Sequence, residues 1–309
     1  MLAGVLAGVL AFPGCTTERS APGAAASPQQ APSPTRSTSP APTRAGVPSA
    51  PGIPRSTRPA RARSAPAAPA SEPVRLGTWR VGARPLPLRP DGFGEVQPTP
   101  RRLRVRRLAT RDLLPPPTDG RFHATVGPVT PQVRRRMGEA WSAGCPVTLR
   151  DLRYLTLSFR GFDGGEHTGE LVVAAGVADD VVQVFRRLHD AGFPIEEMRL
   201  PGTADLEAPP TGDGNNTAAY VCRATRGAST FSAHAYGLAI DVNPFVNPYR
   251  RGDLVLPELA GAYLDRTWRR PGMILPGGVV TRAFADVGWT WGGDFRSLSD
   301  LMHFSANGR

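Results

Sequence analysis

Apolar and polar positions change their pattern sharply along this chain. From residue 21 to 73 they show no period at all: the stretch begins "APGAAASPQQAPSPTRSTSPAPTR" and stays a mixture of Pro, Ala, Ser and Arg to its end. Such a composition buries too little apolar surface to offset chain entropy. Residues 74 to about 120 stay basic and Pro-broken, with room for one short strand. Beyond residue 121 the pattern becomes regular. In "TPQVRRRMGEAW", Val133, Met137 and Trp141 recur every four positions behind Thr130 as N-cap and Pro131 at the first helical position. "YLTLSFRGFDGGEHTGELVVAAGV" reads as two strand-forming runs around a Gly/Asp loop, a hairpin. "ADDVVQVFRRLHDAGF" places Val181, Phe185 and Leu188 on one helical face, with Asp179 as the expected cap and Gly192 as the stop.

Shorter strands are expected in "PIEEMRL", "TAAYVCR" and "LAIDV", with a long Gly/Pro/Asn/Asp loop before the second of them. The expected fold class is α+β: a small antiparallel sheet with helices packed on one side, preceded by a long disordered N-terminal segment. The chain divides accordingly into an export-like segment 1–19, a mostly disordered linker 20–120 and a folded domain 121–309.

Charge and cysteine content narrow the setting. All 37 basic residues are Arg and the formal net charge is +11, with the excess in the N-terminal half. A basic tail of this kind suits anionic polymers or lipid headgroups. No aromatic-interleaved basic platform and no recognition helix accompany it, so nucleic acid is not an expected partner. "MLAGVLAGVLAFPGC" resembles an export signal, too short to span a bilayer, with Cys15 placed as in a lipoprotein cleavage site. With Cys15 a lipid anchor, Cys145 and Cys222 remain, and an oxidising compartment favours a disulfide between them. A monomer is expected.

The chemistry concentrates near the C-terminus. In "LAIDV", side chains alternate, so Leu238 and Ile240 point one way while Ala239 and Asp241 point the other, toward a cleft. His234, one glycine-assisted bend earlier, can fold to the same side. Carboxylate and imidazole together are ligands suited to Zn²⁺. A third donor must come from His123, His167, His189 or His303. Of these, His303 in "SLSDLMHFSANGR" has Asp300 three residues before it, on the same side of a turn or tight bend. A catalytic zinc needs three protein ligands, an open position for water and a nearby base. His234, Asp241, His303 and Asp300 supply that set. His123 is expected to be exposed, His167 to lie at the surface or line a groove, and His189 to be structural. Trp289 and Trp291 read as core and cleft wall. Ser232 has no base beside it and reads as a hydrogen-bonding residue, not a nucleophile.

"SAHAYGLAID" and "DLMHF" together resemble the paired signatures of the D-alanyl-D-alanine carboxypeptidase and L-alanyl-D-glutamate endopeptidase family of zinc peptidases. That family shares a fold with lysostaphin-type enzymes and the hedgehog signalling domain. The resemblance runs from about Gly144 to the end, through "CPVTLRDLRYL", "FPIEEMRL", "DVNPFVNPY" and "WTWGGDF". It implies zinc ligation by His234, Asp241 and His303, with Asp300 as general base. It also implies an arginine on the oxyanion, Arg223 in "YVCR", with Arg226 the neighbouring alternative. The position after "HF", where the family often has an acid, is Ser305 here. The implied substrates are peptide stems of peptidoglycan. A wall-binding module that keeps the fold and zinc without turnover is the alternative.

Overall fold

The organising element is an antiparallel hairpin, and the computed structural model describes it with the rest of residues 75–225 and 229–308. The export-like segment 1–19, Cys15, the spacer up to residue 74 and Arg226 lie outside the described residues. Strand β1 (Ala124–Pro128) pairs with β2 (Leu152–Arg160), which pairs with β3 (Glu166–Ala174), all antiparallel. Helix α1 (Pro131–Met137) lies between the first two in the chain, and Thr130 Oγ1 accepts from Val133 N at 3.3 Å, the cap expected from the sequence.

Helix α2 (Ala178–Asp190) covers one face of this sheet. Its Val181, Val184, Phe185 and Leu188 are buried against Leu155, Leu157 and Phe159 of β2, each worth ~1.5–3 kcal/mol relative to exposure. Its N-cap is Val177 and not Asp179; Asp179 sits in the first turn, where it complements the helix dipole without capping. Gly192, at φ 65°, ends it in the left-handed region that favours glycine. The opposite sheet face, with Leu152 and Val172, packs on Val133 and Met137 of α1.

The next strands are shorter than the sequence suggested. β4 (Glu197–Met198) pairs in parallel with β5 (Asn216–Thr217), and the intervening loop holds α3 (Thr203–Glu207). Asparagine side chains replace ladder bonds here: Glu196 N donates to Asn243 Oδ1, Arg199 N to Asn216 Oδ1 and Phe245 N to Asn215 Oδ1. A backbone satisfied this way needs no long strand.

Two small antiparallel sheets complete the fold. β6 (Ala239–Asp241) is followed by β7 (Tyr249–Arg251), β8 (Leu254–Leu256), α4 (Val279–Ala285), β9 (Thr290–Trp291), β10 (Ser299–Asp300) and β11 (His303–Ser305). One sheet has the order β6-β11-β9, the other β10-β7-β8. Ile240 and Phe304 are cross-strand partners facing the main core, where Phe304 stacks on Phe284 of α4 at 3.9 Å between centroids. Cys145 and Cys222 form a disulfide, with Cα atoms 5.8 Å apart.

The packed unit reaches further toward the N-terminus than expected. Residues 75–120 carry little regular structure, a single 3₁₀ turn at Arg101–Leu103, yet they are not a loose linker. Leu103 and Leu108 are buried in a second core with Phe245, Leu259 and Tyr263. Arg106 is fully buried and donates to Glu196 through Nε and Nη2, both at 2.6 Å. The few apolar residues here sit at spacings that match no helical or strand period, so their burial could not be read from pattern.

Candidate metal centre

His234 lies in the 3₁₀ turn Ala233–Tyr236, which starts at Ser232 and ends at Gly237. The Ser232 hydroxyl accepts from His234 N at 3.4 Å, the backbone role expected of it. Gly237 has φ 68°, and a Cβ there would lie 2.5 Å from Ala174 N. Only glycine lets this turn approach β3 closely enough for Ala174 N to donate to Gly237 O at 2.9 Å. The turn thereby aims the imidazole inward, and His234 is buried.

One hydrogen bond then decides which nitrogen faces the cleft. His234 Nδ1 lies 2.6 Å from Ala219 O. A carbonyl only accepts, so Nδ1 carries the proton and Nε2 presents its lone pair. That Nε2 lies 3.3 Å from Asp241 Oδ2.

Asp241 and His303 are brought together by sheet register. They are direct cross-strand partners on β6 and β11, on the face opposite Ile240 and Phe304. His303 Nδ1 lies 3.0 Å from Asp241 Oδ1. The strand is also held on its other edge, where Asp241 and Ala218 exchange two backbone hydrogen bonds. Ligating atoms of His234, Asp241 and His303 all lie within 4.8 Å of one another, so the three can hold one metal ion. Two neutral imidazoles and one carboxylate are the donor chemistry of a zinc site.

Asp300 closes the cluster. It is on β10, and a two-residue turn separates it from His303, the tight bend expected. Burial, and then the neighbouring Asp241 charge, push its carboxyl up to about 7, against the pull of His303 and Arg223. Its Oδ1 is buried without a hydrogen-bond partner among the described residues. An orphaned acceptor beside three converging donors is what a bound cation with its water would satisfy.

Arg223 is close enough for its charge to act on Asp300. Its carbonyl accepts from Ser232 N at 3.1 Å, which ties it to the turn that carries His234. The other histidines stand apart. His189 is buried against Glu166, and His123 is exposed beside Asp119. His167 was expected at the surface or in a groove, yet it is buried and held by Asp112 and Asp163. One of those two carboxylates, Asp112, comes from the N-terminal stretch whose apolar pattern assigns it no element. Trp289 and Trp291 are buried core residues. Two site features had no sequence signal: the Ala219 carbonyl, since a backbone atom carries no residue signature, and the Phe295 ring, 6.3 Å from that of His303.

Residues 226–306 match the family model described as D-alanyl-D-alanine carboxypeptidase. That span contains His234, Asp241, Asp300 and His303, and it agrees with the motif resemblance. It begins well after Gly144 and excludes Arg223. No curated protein and no solved structure matches the chain significantly.

Proposed function

We propose that this chain is an exported zinc peptidase that hydrolyses peptide stems of bacterial peptidoglycan. The observation that carries this reading is the convergence of His234, Asp241 and His303 with Asp300 close by, its Oδ1 buried without a hydrogen-bond partner among the described residues. His234, Asp241 and His303 would hold one zinc, the number of protein donors a catalytic site of this kind uses. When bound there, zinc supplies Lewis acidity toward the scissile carbonyl and toward water. Asp300 accepts the proton of the attacking water and delivers it to the departing amine. Arg223 offers guanidinium donors to the developing oxyanion. The chain acts as a monomer at the cell envelope, tethered through Cys15 with the Pro-rich segment as spacer.

Two cleavages fit the site, that of a D-alanyl-D-alanine carboxypeptidase and that of an L-alanyl-D-glutamate endopeptidase. A zinc-containing wall-binding module is the competing reading. The Oδ1 of Asp300 weighs against it, because a buried acceptor without a hydrogen bond among the described residues is costly and pure binding gives it no role. Mass spectrometry of peptidoglycan incubated with the zinc-loaded full chain decides. Loss of a terminal alanine marks the carboxypeptidase, and release of the stem after its first alanine marks the endopeptidase. Zinc binding with no mass change, and no difference on Asp300→Ala, would leave the binding module.

A further inference from the structure

A second site lies in the N-terminal part of the packed unit, and none of its lining residues falls within the span matched to the peptidase family. Two stretches of chain form it, around residues 77–84 and 102–109, joined by Gly77 N donating to Arg107 O at 2.7 Å. Together they line an open surface pocket of about 570 Å³. Its lining includes Trp79, Arg80, Arg84, Arg102 and Leu108, and no carboxylate.

The charge is unbalanced there. Arg80, Arg84 and Arg102 are exposed, line this one concavity together and have no ion pair among the described residues. Three like charges around one concavity repel one another, and an anion relieves that repulsion.

The pocket is also built rather than loose. Trp79 Nε1 donates to the buried Asp213 at 2.8 Å, and Gly82 N donates to the same carboxylate at 3.1 Å. Asp213 is itself fixed by Thr211 Oγ1 at 2.7 Å. On the indole so anchored, the Arg84 guanidinium stacks 4.3 Å from the ring centroid. A stacked guanidinium loses less freedom when it binds a ligand. Leu108 belongs to the second hydrophobic core, so the floor is rigid as well.

We propose that this pocket binds a phosphoryl group carried on a larger molecule. A single carboxylate would neutralise only part of three guanidinium charges. A phosphate ester offers more oxygens and matches the planar fork of arginine. The volume exceeds that of a lone anion and falls in the range of small-molecule sites. This site is independent of the peptidase reading.

The test is calorimetric titration of inorganic pyrophosphate into the full chain. Saturable one-to-one binding is expected, weakened at least tenfold in Arg80→Gln/Arg84→Gln/Arg102→Gln with the melting temperature retained. The double variant Arg80→Gln/Arg102→Gln keeps the Arg84–Trp79 stack and should still lose several-fold. A control triple at exposed arginines elsewhere, Arg121→Gln/Arg135→Gln/Arg150→Gln, should bind within twofold of the parent. Equal losses in pocket and control variants, absence of saturation, or malonate binding as tightly as pyrophosphate would overturn the proposal. A further arm separates two sources of the phosphoryl group. Pocket-dependent retention on phosphatidylglycerol vesicles that glycerol phosphate cannot displace identifies a lipid headgroup. Displacement by glycerol phosphate identifies a soluble or polymeric ester.

Discussion

Glu196→Gln should destabilise the protein by about 3–5 kcal/mol, although Glu196 touches neither the metal centre nor the surface. Its carboxylate accepts two bonds from Arg106 and one from Asn215 Nδ2 at 3.0 Å. Arg106 is 1% exposed, its guanidinium lies 4.5 Å from the Phe245 ring centroid, and its Nη1 already lacks a partner. Gln keeps the shape of Glu but removes the charge, so a buried guanidinium is left uncompensated, which typically costs about 3–5 kcal/mol. In a unit of this size, each kcal/mol lowers Tm by about 2–4 °C, so a fall of roughly 6–20 °C is expected. Urea unfolding followed by tryptophan fluorescence measures the loss directly. The pair Arg106→Met/Glu196→Leu should be less destabilised than Glu196→Gln alone, because both charges leave together. A single-variant loss below about 1 kcal/mol would show that residues 75–120 do not dock through this ion pair, and the extended boundary of the packed unit would have to be withdrawn.

The metal centre and its frame carry four more predictions. Zinc should bind at one equivalent and raise the melting temperature, and His303→Ala or Asp241→Asn should abolish both effects, read by elemental analysis and thermal melts. Asp300→Ala should keep the zinc while stem cleavage falls by about 10²–10⁴-fold, the usual contribution of a general base; equal loss of metal would assign Asp300 to ligation instead. Burial opposes the charge on His167, but Asp112 and Asp163 outweigh it and raise its pKa. The stability it contributes is therefore complete below its unfolded value of about 6.5 and is lost as pH rises through the raised folded value. Urea midpoints between pH 6 and 9 should show that decline in the parent and not in His167→Gln; parallel profiles would contradict it. Cys145→Ser/Cys222→Ser opens a crosslink between residues 77 positions apart, for which chain entropy alone gives about 4.5 kcal/mol, checked by denaturation of the two forms.

What the linear chain determined is local. Thr130-Pro131 starts a helix because a hydroxyl and a proline satisfy the first turn, whatever surrounds them. The alternation in "LAIDV" put Asp241 opposite Ile240 because a strand has no other way to place successive side chains. The two motifs identified His234, Asp241, Asp300 and His303, since metal chemistry restricts residue type and spacing. Tertiary structure decided the rest, because it depends on contacts between residues remote in sequence. The pairing of β6 with β11 sets Asp241 opposite His303 across 62 positions. The Ala219 carbonyl selects the nitrogen that His234 presents, and burial beside Asp241 raises the Asp300 carboxyl. The docking of residues 75–120 likewise rests on Arg106 meeting Glu196 across 90 positions, and no periodicity in either stretch could announce that the two charges would be buried together.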